Sequence, residues 1–161
     1  MTYAAGCAPY KDANGCIVWP ACPAVAYVPA RIEQQLVLGW NAGANSIDEL
    51  DGDLHTVFTM PAVAGVVIGL RSGRAKQTTP DLIEHGLYFA TFAGVHMVHV
   101  VERGLGATSN LARAESDTFE IRRLAGRVTY WRNGALLYAS NTRSTGAKVV
   151  NACLYASGDS V

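Results

Sequence analysis

The chain has 161 residues, half of them apolar and 16% charged, with thirteen basic side chains balanced by thirteen acidic ones. That length allows one domain with a substantial core, and the composition excludes a disordered chain. The basic residues form neither an excess nor a stripe, which argues against nucleic acid as a partner and reads as a solvated face. The longest apolar run, residues 63–70, has only a strand's length and is interrupted by Gly65 and Gly69, so no membrane span is expected. The N-terminus lacks the basic-then-apolar layout of a signal peptide, and synthesis in the cytoplasm is expected.

Residues 1–35 differ from the rest. They carry three of the four cysteines (Cys7, Cys16, Cys22) and four of the six prolines (Pro9, Pro20, Pro23, Pro29). Proline fixes φ and removes a backbone donor, so this stretch is expected to be an extended or irregular arm. It could wrap a neighbouring subunit or lie along its own domain. From residue 36 onward the pattern is β. Residues 48–54 are acidic and turn-like. Val66-Val67-Ile68-Gly69-Leu70 suits a buried strand, and strands follow at 86–90 and 96–101, with a turn at Gly94. Further strands are expected at 119–124, 127–132, 135–140 and 148–156. Recurrence every eight to twelve residues is the rhythm of an antiparallel sandwich or barrel. The sharpest local signal is Asn133-Gly134 between two apolar-rich runs, because both central positions of a type I′ hairpin turn need positive φ. Phe119 and Ile121 alternate with Glu120 and Arg122, predicting one packed and one wet face. The fold class read from these elements is all-β: an antiparallel jelly-roll-like sandwich preceded by a Cys/Pro-rich arm.

Asp117-Thr118-Phe119-Glu120-Ile121-Arg122-Arg123, followed by Gly126-Arg127-Val128-Thr129-Tyr130-Trp131-Arg132-Asn133-Gly134 and Leu137-Tyr138-Ala139-Ser140, resembles the strand-hairpin signature of concanavalin-like (lectin/glucanase-type) sandwich modules. The runs Gly65-Val66-Val67-Ile68-Gly69-Leu70 and Ile83-Glu84-His85-Gly86-Leu87-Tyr88-Phe89 fit the same pattern, as does the closing Ala152-Cys153-Leu154-Tyr155-Ala156-Ser157-Gly158-Asp159. The resemblance covers residues 36–161. It implies a module of the kind found in bacteriophage tail and other virion proteins, and the arm joined to it resembles minor tail or baseplate proteins of long-tailed phages. A structural role in the virion is therefore expected: a tail-tip, baseplate or fibre-associated component that docks other tail subunits, forms a homo-oligomer and contacts the host surface. The alternative the resemblance implies is a carbohydrate-binding module for surface polysaccharide. Tail proteins with this module continue past it, so a longer polypeptide is also expected.

The candidates for chemistry are few. The cysteine spacing C-x8-C-x5-C, with Cys153 far downstream, lacks the close pairs of a zinc site. A four-thiolate iron–sulfur cluster, a Cys16–Cys22 disulfide and free buried thiols all stay open, the last being preferred for Cys153. His96 and His99, three apart in a strand, point to opposite faces and cannot share a metal. His55 and His85 have no local partner, and no G-x-S-x-G elbow is present. Glu49, Asp51 and Asp53 alternate, as a glycosidase acid pair or a calcium site would require. Gly52, Ser46 and Leu54 nevertheless read as a solvated loop. No enzyme activity and no cofactor are therefore expected, with calcium and iron–sulfur kept as alternatives. Aromatic residues are the expected tools of recognition, by sugar stacking or subunit anchoring. Trp131 faces opposite to Tyr130, so one of the two lies outside, unless a second layer makes Trp131 core. Trp40 and Trp19 are expected to tether the arm.

Overall fold

A computed structural model describes residues 10–11, 17–18, 38–75, 78–156 and 158–161. The chain divides into two compact units, Met1–Gln35 and Leu36–Val161. In the first, β1 (Tyr10–Lys11) pairs antiparallel with β2 (Ile17–Val18). Cys7, Cys16, Cys22 and Trp19 lie outside the described residues, and with them the disulfide and cluster readings of the arm.

The second unit is the expected all-β antiparallel sandwich. Its strands are β3 (Leu38–Asn45), β4 (Leu54–Thr59), β5 (Val66–Arg71), β6 (His85–Phe92), β7 (Val95–Glu102), β8 (Leu105–Gly106), β9 (Leu111–Ala112), β10 (Thr118–Leu124), β11 (Arg127–Arg132), β12 (Ala135–Arg143) and β13 (Val149–Ala156). One sheet has the order β12-β11-β10-β4; the other runs β3-β13-β5-β6-β7-β8, with β9 also on β7. A single 3-10 turn, Pro80–Leu82, is the helical structure among the described residues.

Four two-residue turns build the hairpins, and all have the form X-Gly with both residues at positive φ. They are Ala93-Gly94, Arg103-Gly104, Ala125-Gly126 and Asn133-Gly134. The last is the turn expected from sequence, and Arg132 faces Ala135 across it. Asp117, which opens the hairpin signature, ties this corner together. It accepts from Asn133 Nδ2 at 2.7 Å and from the Ala114 amide at 2.8 Å, and pairs with Arg132 at 2.6 Å. At the closing segment of the signature, Asp159 accepts the amides of Ala64, Gly65 and Ala156, fixing the end of β13 against the entry to β5.

The core lies between the sheets. Phe119 and Ile121 of β10 point inward against Leu87 and Phe89 of β6 and Val98 and Val100 of β7, all fully buried. Phe89 meets Phe119 edge-on at 4.9 Å, and Phe58 of β4 joins both. Arg123 also points inward, at the end of β10, where it donates to the Gly146 and Leu50 carbonyls. A second, smaller apolar cluster sits on the outer side of the larger sheet: Val67, Ile83, Val101 and Cys153, with Trp40 and Tyr88 packed on it. Cys153 is free and buried, as preferred from sequence, and burial pushes its thiol up to about 11.

The expectation that residues 48–54 form a loop requires one correction. Leu54 is the first residue of β4, not part of the loop, and its side chain is buried in the core. It is held there because β4 zips onto β10 in six consecutive pairs, Leu54 opposite Arg123 through Thr59 opposite Thr118.

Candidate functional site

The outer face of the four-stranded sheet carries a connected cluster of polar and aromatic side chains. Register fixes its layout. One rung across the strands reads Val57, Glu120, Trp131, Leu136, and the next reads His55, Arg122, Thr129, Ala139. Every second side chain of a strand shares a face, so these residues stand together although they come from four separate stretches of chain.

Glu120 is the centre. Its Oε2 lies 2.7 Å from His55 Nε2 and accepts from Arg122 Nε at 2.9 Å and Nη2 at 2.6 Å. The hydrogen bonds from Arg122, and after them from His55, hold the carboxyl below the ordinary glutamate value. The Arg122 guanidinium in turn lies over the Trp131 ring, 4.4 Å from its centroid, within cation–π range. Trp131 Nε1 donates to Thr129 Oγ1 at 2.9 Å. The face expected to be wet is therefore only partly so: Glu120 is 8% exposed, whereas Val57 and Leu136 at the ends of its rung are 53% and 54% exposed. Beside the cluster, an open groove of about 550 Å³ is lined by Asp53, Leu54, His55, Arg122, Arg123 and Leu124.

The pair Tyr130 and Trp131 divides as strand alternation requires. Tyr130 faces the core and is fully buried, which removes it from any surface contact; Trp131 is half-buried on the outer face and is not core. The Tyr130 hydroxyl donates to Glu102 Oε1 at 3.1 Å, and burial raises its pKa strongly. Trp40 belongs to the opposite side of the sandwich. It packs on Tyr155 at 5.4 Å and Tyr88 at 6.1 Å, and Tyr88 meets His99 edge-on at 5.0 Å. Grooves of about 280 Å³ and 220 Å³ flank Tyr88 and His99 there.

The acidic loop binds its own protein. Asp51 Oδ1 accepts the Gly52 amide, Asp53 Oδ1 accepts the Ala125 amide, and Glu49 lies 3.5 Å from Arg74. Among the described residues no group of three His, Cys, Asp or Glu side chains is placed to hold a metal ion.

His55 and His85, without partners nearby in sequence, both find one in the fold. His55 meets Glu120 through the β4–β10 pairing. His85, 1% exposed, has its Nδ1 3.4 Å from Glu102 Oε1, while its Nε2 is buried with no hydrogen-bond partner among the described residues. Burial pulls its pKa below 6.5, and the neighbouring Glu102 only partly restores it; burial lowers His99 likewise. Histidines whose folded pKa is depressed leave the unfolded chain to bind the proton first. Their contribution to stability is complete above about pH 6.5 and declines as pH falls below it. The lowered carboxyls of Glu84, Asp117 and Glu120 act in a separate window, losing their contribution only below about 4.5. Thermal unfolding should therefore show the melting temperature falling between about pH 6.5 and pH 5, with a shallower fall in His85→Gln. An identical slope in the variant would mean that His85 is not a titrating contributor.

No known protein-family model matches the chain, and no curated protein matches it either.

Proposed function

We propose that this chain is a non-enzymatic structural and interaction component of a bacteriophage tail, docking other virion subunits through the outer face of its four-stranded sheet. The observation that carries this reading is the rung Val57–Glu120–Trp131–Leu136. It sets a half-buried tryptophan, fixed by Arg122 and Thr129, between two exposed aliphatic side chains. A rigid aromatic anchor with an apolar surround and charged groups beside it is the composition of interface hot spots. The tail setting comes from the hairpin signature and the Cys/Pro-rich arm, in a chain whose second unit is an antiparallel sandwich. Hydrolysis of a glycan is disfavoured by the carboxylates themselves. A retaining hydrolase needs two carboxyls roughly 5 Å apart and free to act on one bond, whereas Asp51 and Asp53 accept backbone amides and Glu49 faces Arg74.

The second reading, a carbohydrate-binding module, is favoured by one feature of the same face. Among the described residues Glu120 Oε1 takes no hydrogen bond, and it stands beside an indole and an open groove. A ring to stack on and a polar group to fix hydroxyls are what a sugar needs.

The two readings separate in one set of experiments. On the tail reading the chain is found in purified particles and co-purifies with tail subunits, and Trp131→Ala weakens that association by about thirtyfold, the effect of losing a tryptophan hot spot. On the second reading a glycan array gives signal that the same substitution abolishes. A folded chain absent from particles and blank on the array would reject both.

A further inference from the structure

We propose that β4 is a dimerisation edge, pairing antiparallel with β4 of a second copy about a two-fold axis at Val57. This joins the two four-stranded sheets into one continuous sheet.

The four edges of the second unit's two sheets are not alike. Proteins guard exposed edges with bulges, brevity, proline or charge, because unpaired N–H and C=O groups are templates for another strand. β12 slips register against β11 twice, between Arg127 and Thr129 and between Tyr130 and Trp131. β3 slips against β13 between Leu154 and Ala156. β8 and β9 are two residues long. β4 has none of these devices. Its six residues, Leu-His-Thr-Val-Phe-Thr, run in unbroken register with β10 and include no proline, lysine, arginine or carboxylate.

The phase of the ladder shows which groups stand free. Across the two-residue turn Ala125-Gly126, Leu124 and Arg127 form the hydrogen-bonded pair that closes the hairpin. Alternation along β10 then aims the backbone of Phe119, Ile121 and Arg123 at β4, where they meet Phe58, Thr56 and Leu54. His55, Val57 and Thr59 therefore present their N–H and C=O groups to the open side, and among the described residues no strand but β10 pairs with β4.

The phase also selects the occupant. An antiparallel partner must place its own outward-pointing groups opposite these three. A second β4 does so in one register that uses them all, with Val57 opposite Val57 on the axis and His55 opposite Thr59 on either side. The axis pair is β-branched, a favourable cross-strand combination, and no like charges oppose each other. Val57 is 53% exposed in the single chain, an apolar side chain that stands about half in solvent. Strand pairing alone buries little surface, so the dimer is weak and forms in proportion to concentration. Val57 also ends the rung of the proposed docking face, so the two share a residue; the inference rests on the free strand edge, and the oligomeric state of the isolated chain tests it with no tail subunit present.

Sedimentation equilibrium on the full chain tests it. The wild type should show a monomer–dimer equilibrium. Val57→Pro removes an edge N–H that makes no bond within the chain, a position where strands tolerate proline; it should melt as the wild type does and sediment as a monomer. Val57→Lys and Val57→Glu should each be monomeric alone and dimeric when mixed, because the axis sets position 57 against itself. Leu136→Lys, at the far end of the same rung, should leave the dimer intact. A wild type that stays monomeric up to its solubility limit would overturn the proposal, even if β4 captured a strand from another protein. So would a dimer that survives the Val57 variants, or one that Leu136→Lys abolishes equally.

Discussion

Gly69→Ala is expected to unfold the sandwich or to destabilise it by about 3 kcal/mol or more, the upper end of what overpacking costs. A Cβ at this position would lie 2.1 Å from the His85 carbonyl oxygen, 2.5 Å from Gly86 Cα and 2.8 Å from Ile83 Cγ2. Two of the three are backbone, and they cannot withdraw, because β5 is held between β13 and β6 by ladders on both sides. Gly69 and Gly86 face each other across β5 and β6 and leave a bare patch on the outer side of the larger sheet. The fully buried Ile83 fills that patch, since a Cβ on Gly86 would also meet it at 2.8 Å. Gly73→Ala is the control. Gly73 has φ +73° and open space around its Cα, so alanine there brings only the left-handed backbone penalty of roughly 1 kcal/mol. Denaturant unfolding of the two variants separates steric from conformational cost. Equal and small losses would show that β5 and β6 are not packed this closely.

Phe119→Ala is the second large effect, with an expected loss of about 3–5 kcal/mol. Its ring is fully buried, edge-on to Phe89 of the opposite sheet and beside Phe58 of the neighbouring strand. Removing it takes away a central contact between the two layers and leaves a cavity that both sheets' ladders prevent from collapsing. The measurement is the shift in urea midpoint at unchanged slope. A loss below about 1.5 kcal/mol, the range of volume-conserving swaps, would mean that the layers meet elsewhere.

The strands from β10 to β12 were legible in sequence because two signals coincide there: Asn133-Gly134 satisfies positive φ at both turn positions, and Phe119 and Ile121 alternate with polar residues. The tie that Asp117 makes at the corner shows only in the structure. The turn before it was less legible because Ala125 takes the left-handed position usually held by Asn or Asp, at φ 47°. β4 was hidden for another reason. Thr56 faces the core side and Val57 faces out, which inverts the polar and apolar order that marks a half-buried strand. β3, Leu-Gly-Trp-Asn-Ala-Gly-Ala-Asn, is poor in strand formers and exists because β13 pairs along it. Alternation split Tyr130 from Trp131 correctly, but the inward member could be named only once the core was known. His55 and Glu120 are separated by 65 residues, so no local pattern could have joined them. The site became visible only with the β4–β10 register.

If the outer face of the four-stranded sheet is where this protein meets its partner, amide hydrogen exchange shows it most directly, compared between the free chain and the chain in assembled tails. Protection should be gained in the segments carrying Val57, Glu120, Trp131 and Leu136, and the β6–β7 turn around Phe92 should exchange as before. Protection gained at that turn, with the Trp131 segment unchanged, would contradict this assignment.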